Sequence, residues 1–165
     1  MHKPHSHSRH TLAAVLVALL VSACGTTSSP SIEPYAGKDN VGAVNPSMFV
    51  GEWNVRLLNP PKGYRPNESR ATFSQDGSVV MVTDDSSSGM NLKLQLIGRW
   101  QATGDTLQMQ MESIKETSGN PLGGLIAGMM NSMKERMTGT VNVYEATDNR
   151  IVVVGEEGQA TEYSR

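Results

Sequence analysis

Val50-Gly51-Glu52-Trp53-Asn54-Val55-Arg56-Leu57-Leu58 is the stretch that decides the fold. In an extended backbone, Trp53, Val55 and Leu57 fall on one side and Glu52, Asn54 and Arg56 on the other. A period of two marks a strand with one face buried and one in water. The next residues, 59–67, carry three prolines and read as a loop, because proline donates nothing to a ladder.

The same alternation returns downstream. Ser69–Gln75 and Ser78–Asp84 flank Asp76-Gly77, a hairpin signal. Residues 85–89, Asp-Ser-Ser-Ser-Gly, turn the chain again. Asn91–Gln101 sets Leu92, Leu94, Leu96 and Trp100 against Lys93, Gln95, Arg99 and Gln101. After a turn at Thr103-Gly104-Asp105, Leu107, Met109 and Met111 share a face. Thr140–Ala146, Arg150–Gly155 and Gln159–Ser164 complete eight candidate strands, with Asp148-Asn149 as a turn. Residues 117–138 break the pattern. There Leu125, Met129, Met133 and Met137 lie four apart, which predicts a short helix over Leu125–Met137 with Lys134, Glu135 and Arg136 on its other side. The expected class is all-β: an antiparallel up-and-down barrel of about eight strands with one short helical insert. Closure leaves no free sheet edge. An open twisted sheet or a sandwich is the structural alternative. With two Phe and two Trp, the core must lean on Val, Leu, Ile and Met.

Upstream, the composition changes. Residues 1–10 carry Lys3 and Arg9 and no acid, and residues 11–21 are an apolar run. About a dozen such residues make the core of a signal peptide and are too few to span a bilayer. Leu20-Val21-Ser22-Ala23-Cys24 follows and contains the sole cysteine. Residues 25–47 are small, polar and proline-rich, and read as a flexible tether with a coil reach of roughly 25 Å.

This leader resembles the lipobox of bacterial lipoproteins. The resemblance implies cleavage before Cys24, a diacylglyceryl group on its sulfur and a third acyl chain on its new amine. Two or more chains anchor stably where one holds marginally. Gly25 stands where such lipoproteins carry Asp for inner-membrane retention, which implies the outer membrane, facing the periplasm or the cell surface. The bland alternative is an ordinary secretory signal with Cys24 a free thiol, since a lone cysteine forms no internal disulfide. The expected organisation is a signal peptide at 1–23, the lipidated cysteine and tether at 24–47, and a β domain at 48–165.

Removing 23 of the 165 residues leaves 142, and all four histidines go with the leader. A Ser-His-Asp triad, a Cys-His pair and the usual His/Cys zinc sites are then excluded. No enzyme, metal or cofactor is expected. Losing Lys3 and Arg9 leaves 12 basic residues against 16 acidic ones, a net charge of −4. That disfavours nucleic acid as a partner.

Gly51-Glu52-Trp53 also resembles the Gly-x-Trp that opens the first strand of lipocalin-like domains. Phe73-Ser-Gln-Asp76-Gly77, Gly98-Arg99-Trp100 and Gly104-Asp105 are similar to the short bacterial lipocalin-like lipoproteins. The resemblance spans roughly 49–165. It implies a lipocalin-like barrel with the Trp53 indole closing one end and a basic residue near the chain end, Arg165, packed over it. The helical insert between strands five and six departs from that pattern, and the long helix that classical lipocalins place after their last paired strands has no counterpart.

Candidate ligand-binding residues are Trp53, Trp100, Met109, Met111, Met129 and Met133. Both tryptophans are equally readable as core, with indole N–H groups bonded at the rim. Met109, Met111, Met129, Met130, Met133 and Met137 suggest soft Cu(I) ligation, against the commoner role of flexible core filler. Glu112 with Glu116 is readable as a catalytic pair but reads more simply as solvated, and Glu156-Glu157 between Gly155 and Gly158 reads as a turn. Lys62, Arg65 and Arg70 form a small basic cluster. The insert is readable as a mobile lid, a partner-docking surface or a segment that dips into lipid. The functional expectation is a non-enzymatic lipoprotein, anchored through Cys24, that binds a small apolar ligand; the alternative is an accessory lipoprotein of an envelope complex.

Overall fold

Period-two burial is clearest in the first four strands. In β1 (Gly51–Leu57), Trp53 and Val55 are buried and Glu52, Asn54 and Arg56 are exposed. The structure is a computed structural model that describes residues 32–63, 67–85 and 91–165. The leader, Cys24, the tether to residue 31, Arg65 and the turn at 86–89 lie outside the described residues. After β1 come β2 (Glu68–Phe73), β3 (Ser78–Asp84), β4 (Lys93–Thr103), β5 (Thr106–Glu116), the helix α1 (Pro121–Ser132), β6 (Gly139–Ala146), β7 (Arg150–Val154) and β8 (Ala160–Ser164). Each strand pairs antiparallel with its predecessor, and β8 pairs with β1 to close the barrel. This is the up-and-down order expected of a lipocalin-like barrel.

Because the strands alternate in direction, the barrel has two distinct ends. At the first, a 3-10 turn at Pro46–Met48 is capped by Asn45, whose side chain accepts from the Ser47 N–H. It lays Phe49 across the opening. Phe49 meets Phe73 and Trp100 at 5.7 Å between ring centroids, and Phe73 meets Trp100 at 5.4 Å and Tyr163 at 5.5 Å. Trp53 Nε1–H donates to Phe49 O at 2.6 Å, and Trp100 Nε1–H to Ser74 O at 3.0 Å. Arg165 places its guanidinium 3.9 Å from the Trp53 ring centroid and donates to Val50 O at 2.6 Å. Gly51 makes room for it: φ is +124° there, and a Cβ would meet Arg165 Nη2 at 3.0 Å. The Gly-x-Trp motif is therefore a seat for a terminal guanidinium as well as a strand start.

At the second end stand the β1–β2 and β7–β8 connections and α1. Here three expectations are corrected. The first is the tether. Glu33 O accepts from Asn59 Nδ2, Tyr35 N–H donates to Gly158 O, Asn40 N–H to Tyr144 O and Val44 N–H to Gly104 O. Residues 33–44 thus lie along the outside of the barrel, where Tyr35 covers Val152, Val154 and Ala160. The flexible tether expected to reach residue 47 is docked from residue 33 onward.

Next, the alternation of Leu107, Met109 and Met111 does not continue through β5, which runs to Glu116. A bulge opposite Ile97/Gly98 inserts one residue, so the inward set reads Leu107, Met109, Met111, Ile114 and the alternation skips a step. Gly98 permits it, because a Cβ there would lie 2.3 Å from Gln110 O. Finally, the helix begins at Pro121, four residues before the predicted start, and ends at Ser132, with a 3-10 turn at Lys134–Met137. Asn120 caps it, accepting from Leu122 N–H, with Pro121 in the first turn.

Where β5 and β6 splay, the helix completes the wall. The two strands pair only over Thr106–Met109 and Gly139–Asn142. Beyond that, Asn131 of α1 takes the place of a neighbouring strand: its Oδ1 accepts from Ile114 N–H at 2.9 Å and its Nδ2 donates to Ile114 O at 2.6 Å. Lys134 Nζ adds a bond to Glu112 O.

Candidate functional site

The interior is the concave surface of any such barrel, and its lining follows from strand phase. Leu94 and Leu96 of β4, Met81 of β3, Leu107, Met109 and Met111 of β5 and Ile151 of β7 are buried in one apolar cluster. Met109 and Met111 therefore sit inside, as their spacing indicated. Trp53 and Trp100 are inside too, but both belong to the aromatic end, with their N–H groups bonded to backbone. Met129 and Met133 do not join them. The helix buries Gly123, Ala127 and Met130 and leaves Leu122, Leu125, Met129 and Met133 exposed. Leu125, Met129 and Met133 of the predicted stripe face away from the barrel, whereas Met137, in the 3-10 turn, packs against the core. The physical reason is size: small residues let the helix approach β5, and Gly123 already touches Leu92 and Glu116 so closely that a Cβ would fall 2.7 Å and 2.4 Å from them. The six methionines of the copper reading thus divide between opposite faces.

One interior residue was not singled out from the sequence. Gln159 is 2% exposed, and neither its Oε1 nor its Nε2 has a hydrogen-bond partner. It keeps the inward phase of Thr161 and Tyr163, while Ala160 and Glu162 point outward. Its backbone carbonyl is held by Gly155 N–H at 2.9 Å, so the residue is placed firmly while its amide is left unmatched. Ser69 Oγ and Thr83 Oγ1, both buried, lie 3.3 Å apart at the same end of the barrel. Burial pushes the pKa of the Tyr163 hydroxyl well up, so it stays neutral. The interior is thus mainly apolar, with the buried polar side chains Ser69, Thr83, Asp85 and Gln159 gathered at the end away from the aromatic cluster. The available signal was a glutamine in the inward phase of the last strand.

Electrostatics concentrate on the outer face. Glu162, 3% exposed, accepts from Arg56 Nε at 2.5 Å and Arg150 Nε at 2.6 Å, and Arg150 also pairs with Glu145. Burial acts to raise the Glu162 pKa, but the two guanidiniums outweigh it and hold the carboxyl below its ordinary value. Both arginines are shifted upward, chiefly by the hydrogen bond to Glu162. Of the carboxylates expected to be solvated or in a turn, Glu112, Glu156 and Glu157 are exposed. Glu116 instead caps the turn after β5, accepting from Ser118 and Gly119 N–H, and its pKa is lowered mainly by the Ser118 hydroxyl. Among the described residues, no three of His, Cys, Asp and Glu gather as a metal site would require.

The barrel has counterparts of known structure. An uncharacterized protein from Bacteroides eggerthii DSM 20697 is similar, with a TM-score of 0.50 and 20% identity over 71% of this chain and 98% of that one. A Burkholderia xenovorans protein solved by NMR matches over 86% of this chain and 97% of its own, at 14% identity and a TM-score of 0.33. The first likeness is one of fold; the second supports no argument. No family model matches the chain, and no curated protein matches it.

With that fold, the interior sets apolar side chains beside one buried amide.

Proposed function

We propose that this chain is a lipid-anchored envelope lipoprotein whose barrel is a non-enzymatic binding module for one small, mainly apolar ligand. The observation that supports it is Gln159. An amide buried without protein partners costs about 1–3 kcal/mol for the atoms left unsatisfied, and such groups are met by a buried water or a bound molecule. A ligand whose polar end meets this amide while its body lies among Leu94, Met109 and Met111 removes that cost. Eight-stranded barrels are just wide enough to hold one small ligand or to be filled by side chains. The leader at 1–24 supports the anchor and the outer-membrane location.

An accessory lipoprotein of an envelope complex is the second reading. The packing of Phe49, Trp53, Phe73, Trp100 and Tyr163 favours it, since these rings fill one end of the interior with protein. Native mass spectrometry of the full chain taken from its own membranes tests both. The first reading expects acyl mass at Cys24 and one bound small molecule per chain. An acylated, empty chain that carries a second protein would overturn it.

A further inference from the structure

The outer face of α1 calls for a partner. Leu122, Leu125, Met129 and Met133 are 51%, 63%, 59% and 39% exposed, and no charged residue occurs from Pro121 to Met133. Leucines and methionines on a helix otherwise packed by its small residues are not left over from core packing, because the buried face is already complete with Ala127 and Met130.

We propose that this face lies on the lipid bilayer that anchors the chain, so that the barrel leans on the membrane by its α1 side, near the end that carries the Gly158 turn. The proposal rests on the acylation of Cys24 put forward above. The path of the chain supports it. β5 and β7 run in the same direction, so α1, which follows β5, and the Gly158 turn, which follows β7, stand at the same end of the barrel. Glu33 and Tyr35 are bonded at that turn, to Asn59 and Gly158. Cys24 is therefore attached at the end that carries α1. The eight residues 24–31 reach at most about 29 Å even when fully extended. Acyl chains at Cys24 hold this end of the barrel, and not the aromatic end, within that distance of the bilayer surface.

The size of the face bears on its occupant. A stable protein pair buries roughly 800 Å² on each side. Four side chains, each partly covered already, fall well short of that. A single uncharged apolar stripe at an interface already secured by acyl chains needs no such area, since it adds to an attachment instead of creating one. Leucine and methionine are also the flexible apolar residues that adapt to a fluid partner.

The test uses the full acylated chain in vesicles of phosphatidylethanolamine and phosphatidylglycerol. Met129→Cys is labelled with an environment-sensitive fluorophore. Asp148→Cys, in the exposed turn between β6 and β7 at the aromatic end, is the control. The expected result is a blue shift at position 129 and loss of its emission when the acyl region carries a quencher, with neither change at position 148. Equal, water-like emission from both labels, on protein whose intact mass shows the acyl chains, would overturn the proposal. So would shielding at 129 that quencher lipid does not reach, which points to a second copy or another protein. If the mass shows no acyl group on Cys24, the anchored reading itself fails and the inference falls with it.

Discussion

Glu162 is the residue at which charge and burial meet most directly. Its carboxylate is nearly inaccessible, yet it serves two guanidiniums from neighbouring strands, Arg56 of β1 and Arg150 of β7. This stitches the closing seam of the barrel, where β8 joins β1. The folded pKa lies below the unfolded value of about 4.3. The stabilisation is therefore complete above that unfolded value and is lost as pH falls through the folded one. Glu162→Gln should cost about 1–3 kcal/mol at neutral pH. The lower part of that range is expected, because the Arg56 side chain is 67% exposed and its share is screened by water. Urea unfolding at pH 7 and at pH 3 checks this, and the difference between variant and parent should shrink at pH 3. An equal loss at both values would mean that shape, and not charge, holds the seam.

At the scale of elements, the helix is a substitute strand. Past Met109, β5 loses β6 as a neighbour, and the Asn131 amide satisfies both backbone groups of Ile114. Asn131→Leu should destabilise the protein by about 1–3 kcal/mol by orphaning that pair, and amide exchange at Ile114 should speed up more than at Leu107. Uniform exchange would remove the helix's role in covering the edge. The first four strands were legible in the sequence, since their buried face repeats every second residue; β7 is buried at four consecutive residues because Tyr35 covers its outer face. What was not legible has definite causes. The bulge at Gly98 breaks the phase of β5, so alternation stopped at Met111 although the strand continues. Asn120-Pro121 carries both a cap and a first-turn proline, yet beside Gly123-Gly124 it reads as a turn. The stripe of Leu125, Met129 and Met133 was found, but periodicity alone does not say which side of a helix meets the barrel. That choice went to the side with Gly123 and Ala127, because only small residues fit there. The pairing of Arg165 with Trp53 was expected from the Gly-x-Trp resemblance, and the geometry bears it out. Gln159 lies just before the last strand, and its inward phase carries meaning only once Tyr163 is seen to face the core.

For the molecule as a whole, two ends do different work. The aromatic end is closed by Phe49, Trp53, Phe73 and Trp100 and sealed by Arg165. The other end gathers the unmatched Gln159 amide, the exposed face of α1 and the point where the chain departs toward Cys24. Under the proposed anchor and ligand, the unmatched polar atoms would stand at the membrane-facing end, where an apolar guest would exchange with lipid without passing through water. The claim on which this rests is that Gln159 faces a ligand. The direct measurement compares the parent chain with Gln159→Leu, taken from the same membranes, for bound small molecules by native mass spectrometry and for thermal stability once stripped of them. The account predicts that the variant loses the bound species and that its empty form is more stable than the empty parent by about 1–3 kcal/mol, because an unsatisfied amide has been replaced by an apolar side chain. Two empty proteins from native membranes, with the variant the less stable, would contradict it and leave a filled structural barrel.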